Sequence, residues 1–508
     1  MVTLKDVLNS GLLQKPSDEP QALQRSESNY TPLRSFNLGK DLQYQQQFAD
    51  TYFLRLTKIK PSLEEVANSA WEGIVIGDET AKKVERVLDV RQGELCWVVG
   101  TVYMDMPAKP NILEDVSKDR WISAPSTVQK YYSDDGLDSV MLEDESGRIR
   151  LVGNVLKKFF LVTGCIIAAM GTENANGEFD VIDLKFADLP PQPERWELSK
   201  LSQKGARSVK KESKIKDEDV EMKDSSPSTK GKKIAIASGL EFSGPDTSYA
   251  MELNLLLEFL LGDILDPAAQ GEIAQISRLI IAGNSIASEV KAVEEATEKK
   301  SHKKYGYDST AYNAQPSKLF DDFISELLPT IPITLLPGVL DPANASYPQQ
   351  PIHPAMFPRA RAYTSIPGAA GPGWLDTVTN PWEGEVEGWR ILGTSGQNLD
   401  DIFKYVDSDD RLGMMEATCR WRCSAPTAPD TLCKLPGAYP FQDDEPFVMK
   451  ECPHLYFIGC QPEFGTTVIT GPDGQVVRLV LIPSFSATRE VVLVDMETLD
   501  ISTVKFTA

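Results

Sequence analysis

The sequence predicts an α+β molecule of two unlike folded domains, a small closed β-barrel followed by a layered α/β domain. Between Cys96 and Phe186, five short strand-like segments follow one another with glycines or polar turns at their ends, the pattern of a small barrel. Beyond Lys233 the rhythm changes to continuous apolar runs alternating with helical stretches, as expected for strands buried on both faces of a sheet. Between the two regions, residues 199–233 are nearly all Lys, Ser, Glu and Asp. They offer almost nothing to bury and read as a disordered linker. With 508 residues, 41% of them hydrophobic and 25% charged, the chain has material for both cores. The division that follows is a tail over 1–43, a helical lead-in plus barrel over 44–190, a charged linker over 191–233 and the layered domain over 234–508.

The tail is polar, with scattered Pro and Ser, and is expected to order only where it docks. From Tyr44 to Ala70, the residues Phe48, Tyr52, Phe53, Leu56 and Ile59, then Leu63, Val66 and Ala70, recur at helical spacing on either side of Pro61. Proline interrupts a helix interior, so the spacing predicts two helices. The barrel strands are Cys96–Met104, Ser139–Glu143, Gly147–Val152, Phe160–Met170 and Phe179–Phe186. Asp144-Glu145-Ser146-Gly147 joins the second to the third, and Asn174-Ala175-Asn176-Gly177 the fourth to the fifth, both as hairpins. The oligonucleotide/oligosaccharide-binding (OB) fold is the commonest barrel of this kind.

In the second domain Ile234–Ala237, Leu279–Ala282, Ile331–Leu336, Arg390–Leu392 and Leu455–Ile458 read as buried strands, with helices over Met251–Leu265, Lys318–Leu328 and Asn398–Val406. The C-terminus turns to pure β: Thr466–Thr470, the turn Gly471-Pro472-Asp473-Gly474, Val476–Ile482 and Glu490–Val494.

Lys and Arg total 52 against 74 for Asp and Glu, a formal charge of -22, which repels a polyanion and disfavours an independent grip on nucleic acid. Trp97 and Tyr103, six apart in one strand, share a face that serves either as barrel core or as a stacking platform. The start MVTLKDVLNS is no signal sequence and no apolar run approaches the ~20 residues of a bilayer span. A soluble intracellular protein with no membrane role is expected. Seven cysteines, five of them between Cys419 and Cys460, read as reduced thiols, and the irregular spacing of Cys419, Cys423, Cys433, Cys452 and His454 does not fit a zinc site. Lys210-Lys211 and Lys230–Lys233 fit either a nuclear import signal or a plain solvated linker. Ser225 and Ser226 in the same acidic run are candidate phosphorylation sites.

Ligands of open α/β sheets sit at the carboxyl ends of the strands. Those ends carry Ser238-Gly239-Leu240, Gly283-Asn284-Ser285, Pro337-Gly338-Val339-Leu340-Asp341, Gly393-Thr394-Ser395-Gly396 and Gly459-Cys460-Gln461-Pro462. The glycines look like a site. The side chains do not, because metal-assisted hydrolysis needs several carboxylates and imidazoles, and the chain has three histidines. His302 lies in a Lys-rich stretch, His353 in a Pro-rich loop, and only His454 beside a buried strand. Ser395 lacks the Gly-x-Ser-x-Gly frame, because Gln397 holds the last place. A tight glycine turn with Asn398 capping the next helix is expected there. Asp341 is read as a turn residue before Pro342.

Several ordered motifs carry a resemblance: Tyr52-Phe53-Leu54-Arg55-Leu56, Lys109-Pro110-Asn111-Ile112-Leu113, Leu142–Ile149, Ile280–Asn284, Leu336–Asn344, Pro348–Pro354, Thr379-Asn380-Pro381-Trp382 and Gly393–Asn398. The strand ends fall where calcineurin-like phosphodiesterases carry Asp-x-His, Gly-Asp, Gly-Asn-His-Asp and Gly-His-x-His. An OB barrel followed by such a domain with a decayed metal site resembles the B-family, non-catalytic subunits of the eukaryotic replicative DNA polymerases. The resemblance is greatest to the delta-type small subunits and covers about residues 44–508.

The resemblance implies an OB-fold barrel followed by a calcineurin-like, metallophosphoesterase-type α/β sandwich without its metal site. Ser238, Leu240, Asn284, Val339, Leu340, Asp341, Cys460 and Pro462 would be its degenerate positions, with no catalytic residue, metal or cofactor. It also implies a nuclear scaffold that holds the C-terminal cysteine-rich module of a polymerase catalytic subunit and a third, extended subunit. Such an assembly works with the sliding clamp in lagging-strand synthesis and repair, and the chain meets DNA only within the holoenzyme. The competing readings are an active phosphodiesterase or nuclease built on Asp341, Asn284 and His454, the B-family subunit of another replicative polymerase, and an independent single-strand binder.

Overall fold

The computed structural model describes residues 24–39, 48–76, 78–109, 130–133, 136–195, 231–243, 248–263, 267–287, 313–344, 346–366, 371–432, 441 and 444–507. Most of the 199–233 stretch, with Lys210, Lys211, Ser225, Ser226 and Lys230, lies outside them, as do His302, Cys433 and the motif residues Pro110–Leu113.

The lead-in is one helix, α1 (Phe48–Trp71), which runs through Pro61 rather than breaking there. A proline in a helix interior costs about 3 kcal/mol. Leu56, Ile59, Leu63, Ala67 and Trp71 lie on one stripe and pack against Leu95, Trp97, Val99, Ile166, Ala168 and Met170 of the barrel wall. Each large apolar side chain so buried contributes about 1.5–3 kcal/mol, which outweighs the proline.

The barrel is built from β2 (Cys96–Asp105), β3 (Ser139–Glu143), β4 (Arg148–Val152), β5 (Ile166–Glu173) and β6 (Glu178–Lys185), in the order β2-β3-β4-β6-β5, and β5 closes back on β2. Alternation along β2 sends Cys96, Val98, Val102 and Met104 inward and Trp97 and Val99 outward under α1. Trp97 is therefore neither barrel core nor stacking platform. Its ring lies 5.8 Å from that of Trp71. The fourth strand begins at Ile166, not Phe160. Gly164 holds φ +91, and a Cβ there would come within 2.0 Å of the Pro426 carbonyl, so the chain turns before the strand starts.

The second domain stacks two six-stranded sheets. One has the order β1-β11-β12-β13-β15-β14: β1 (Tyr30–Pro32), β11 (Trp382–Val386), β12 (Trp389–Thr394), β13 (Leu455–Gln461), β15 (Val476–Pro483) and β14 (Gly465–Thr470). The other has the order β10-β9-β8-β7-β16-β17: β10 (Leu375–Thr377), β9 (Ile333–Leu336), β8 (Ile276–Ala282), β7 (Lys233–Ala237), β16 (Glu490–Asp495) and β17 (Ile501–Lys505). Their facing sides bury Ile234, Ile236, Ile280, Leu336, Ile391, Leu455, Phe457 and Val480. Helices α2 (Ala250–Leu261) and α3 (Gln315–Leu327) cover the outer face of the second sheet. Helices α4 (Gln397–Ile402) and α5 (Arg411–Arg420) cover the first. The core under α4 and α5 is continuous with the barrel interior.

Where it is described, the tail is docked: it supplies β1, antiparallel to β11, and a fully buried Phe36. Other elements depart from the sequence reading. Helix α5, which the sequence reading does not contain, carries Cys419, with Cys423 just beyond it. Helix α2 stops at Gly262, which takes φ +86 and donates its N–H to the carbonyls of Glu258 and Phe259. Helix α4 is capped by the backbone of Gly396, and Asn398 is buried within it. Among the described residues no helix is long and apolar enough to cross a membrane.

Candidate functional site

The carboxyl ends of β7, β8, β9, β12 and β13 meet at one rim of the stacked sheets, where their polar groups bind one another. Ser238 Oγ donates to the Ala282 carbonyl (2.8 Å), accepts from the Cys460 N–H (2.6 Å) and lies 3.2 Å from Cys460 Sγ. Asn284, at φ +50, accepts from the Leu340 N–H through Oδ1 (3.1 Å). Asp341 spends one carboxylate oxygen on the Ile286 N–H and the other on the Gly338 N–H, both at 2.8 Å. Burial pushes its pKa up to about 6 against those bonds. Ser395 Oγ donates to the Pro337 carbonyl (2.6 Å) and its N–H to Asn380 Oδ1 (3.0 Å). The loops touch so closely that a Cβ on Gly283 would lie 2.4 Å from that of Ser395.

Behind this tier lies an amide network. Gln349 Nε2 donates to the Gly338 carbonyl (3.0 Å). Its Oε1 accepts from Asn380 Nδ2 (3.0 Å) and Gln397 Nε2 (2.8 Å), and Asn380 Nδ2 also donates to Gln397 Oε1. Gln350 donates to the Phe36 carbonyl and accepts from the Leu38 N–H, both at 3.1 Å. The Pro-rich segment is thus a buttress that ties the strand ends to the N-terminal segment. The sequence motifs contained these amides, but nothing local marks them as partners.

Of the remaining strand-end residues, Leu240 is core, Val339 is 62% exposed and Pro462 is exposed. His454 precedes β13 at its opposite end, roughly 20 Å of strand away from Cys460. Its Nδ1 accepts from the Arg390 N–H (3.1 Å) and its ring meets Trp389 edge-on. The trio Asp341, Asn284 and His454 is therefore not brought together. Among the described residues no three His, Cys, Asp or Glu side chains form a metal-ligating group. Cys423 and Cys452 are buried, and desolvation raises their thiols to about 11 and about 12. Such an arrangement ties the strand-end loops to one another through their own polar groups.

On the barrel, a cleft of about 400 Å³ is lined by Tyr52, Phe53, Tyr103, Arg148 and the carboxylates of Asp50, Glu143, Asp144 and Glu145. Arg148 lies over the Tyr103 ring at 4.5 Å and pairs with Glu143 at 3.1 Å. The aromatic surface suits stacking, but its acidic rim repels a phosphate backbone.

One fastening between the barrel and the second domain is Arg55 on α1. It is fully buried and donates to the carbonyls of Gly164 (3.2 Å), Pro426 (2.6 Å) and Ala428 (2.7 Å), beside Glu445 at 3.4 Å. An arginine inside Tyr52-Phe53-Leu54-Arg55-Leu56 was a signal available in the sequence, since a charge on a buried helical stripe needs partners.

Residues 47–184 match the family model for the DNA polymerase delta subunit OB-fold domain, and residues 234–466 match the one for the B-type subunits of DNA polymerases alpha and epsilon. The chain is 33% identical over 490 residues to a DNA polymerase delta small subunit of Arabidopsis thaliana, covering 96% of this chain and 98% of that one. It is 31% identical over 492 residues to the protein of the same name from Saccharomyces cerevisiae, covering 92% and 90%. To DNA polymerase delta subunit 2 of Drosophila melanogaster it is 31% identical over 482 residues, covering 95% and 98%.

Proposed function

Because the chain belongs to the family of DNA polymerase delta small subunits, we propose that it serves as the accessory scaffold of a DNA polymerase and works by surface complementarity rather than by chemistry of its own. The observation that carries this reading is the strand-end rim, where Ser238, Asn284, Asp341 and Ser395 are all spent on neighbouring loops. In this reading Ser238, Leu240, Asn284, Val339, Leu340, Asp341, Cys460 and Pro462 are the degenerate positions of a calcineurin-like sandwich. Two stacked sheets with helices on both outer faces support that fold. The working units are the barrel over 44–190 and the sandwich over 234–508, with the tail docked onto the second.

The barrel and the sandwich together present a composite face of the kind that stable protein interfaces need. The partners proposed for it are the C-terminal cysteine-rich module of the catalytic subunit and a third, extended subunit. The sliding clamp is reached through them, and DNA only within the assembly. The work is nuclear replication and repair. The test is affinity purification of the tagged chain from native extract, with stoichiometry and metal content on one sample. A large polymerase subunit and a smaller chain are expected in near-equal amounts. Asp341→Asn should leave nucleotide incorporation per assembled complex unchanged. A chain that emerges alone, carries a transition metal and hydrolyses a model phosphodiester would replace this reading with that of an active phosphodiesterase.

A further inference from the structure

The stacked sheets are closed differently on their two sides. On one side the N-terminal segment covers the rim: β1 pairs with β11, and Tyr30 and Arg34 both reach Asp376 on β10, at 2.7 and 2.8 Å. On the other side β14 ends the first sheet and β17 the second, and among the described residues no strand pairs with either outer edge.

The backbone of β14 shows what this edge can accept. Gly471 donates its N–H to the Gln475 carbonyl (2.9 Å), which fixes these two as a hydrogen-bonded pair. In an antiparallel ladder such pairs alternate with open ones. Along the register of β14 with β15, Thr467 and Ile469 therefore bond inward, and the N–H and C=O groups of Thr466, Val468 and Thr470 point out of the sheet. The Thr470 carbonyl is met by Arg420 at 3.4 Å, so the open row runs from Thr466 to the Thr470 N–H.

Exposed edges are ordinarily blunted by lysine, proline, a bulge or a covering segment. Gly465-Thr466-Thr467-Val468-Ile469-Thr470 has no charge and no proline, and its six-pair register is regular. Val468 is 43% exposed, and Val476, 49% exposed, shares its face because it pairs with Thr470. Exposed Glu463 precedes the strand and exposed Asp473 follows it.

We propose that the outer edge of β14 receives an extended, basic segment of another subunit of the polymerase assembly, which adds a strand to the first sheet. The inference rests on the accessory-scaffold reading. The outward backbone groups require an extended polypeptide, Val468 and Val476 require apolar side chains at alternate places, and Glu463 and Asp473 require lysine or arginine at its flanks.

The test is residue-resolved hydrogen exchange on the full chain, alone and in the purified assembly. The amides of Thr466 and Val468 are expected to exchange at least tenfold more slowly in the assembly, with Thr467 and Ile469 little changed. Val468→Pro removes only an outward N–H and keeps the ladder to β15. It should melt near the parent and retain the polymerase partners at least tenfold more weakly. Because exchange is read on the parent chain, the test stands whatever the variant's folding. A stoichiometric assembly with unchanged exchange at Thr466 and Val468 overturns this inference alone. Protection already present in the isolated chain, with sedimentation as a dimer, also overturns it and assigns the edge to a second copy. A parent chain that recruits no polymerase subunit overturns it together with the scaffold reading.

Discussion

Arg55 and Asp341 are both buried and bonded to backbone groups, with opposite electrical consequences. Arg55 holds carbonyls from the barrel and from the Pro426–Ala428 turn together. Arg55→Ala would leave those acceptors and Glu445 buried without it, a loss of about 3–5 kcal/mol, and the melting midpoint should fall by several degrees or more. Asp341 is raised by burial to about 6, above the ~3.9 of an unfolded aspartate. Its stabilising contribution is therefore full below about pH 4 and is lost as pH rises through about 6. In urea denaturation, the stability gap between the parent chain and Asp341→Ala should be widest near pH 4 and narrower at pH 7. A gap that widens with pH would show that the backbone bonds to the carboxylate outweigh its desolvation.

The legibility of the sequence differed from one element to another. The continuous runs that became β7, β8, β9 and β13 were readable because burial on both faces leaves no polar alternation to confuse them. Helix α1 was misread at Pro61 because the rule for proline is local, while the contacts that override it come from barrel strands far along the chain. Pro61→Ala should therefore raise the melting midpoint, consistent with about 1–3 kcal/mol of recovered helix stability. A fall would mean that the ring itself packs against the barrel. Helix α5 has little amphipathic contrast, and β11 spells Trp-Glu-Gly-Glu-Val, so neither announced itself. At the strand ends the glycine turns were visible. The meeting of Gln349, Asn380 and Gln397 was not, because amides spread over 48 residues leave no periodic trace of their pairing.

At the scale of the molecule, the barrel and the first sheet share one core in which Val162 and Cys165 sit in the same cluster as Met414, Cys419 and Tyr456. Two domains built this way should unfold together, and calorimetry is expected to give a single transition. Two resolved transitions would show that the shared cluster couples them weakly. The same unity bears on the charged stretch between them. Arg195 donates to the Glu387 carbonyl at 3.1 Å and Lys232 reaches the Glu387 carboxylate at 2.9 Å, so these two positions are fastened to one post. An insertion between them joins points already held together, and doubling a connection of fixed ends costs only about 0.6 kcal/mol of closure entropy. A fluorescent protein spliced between Arg195 and Lys232 should therefore give an internally labelled chain with both termini untouched.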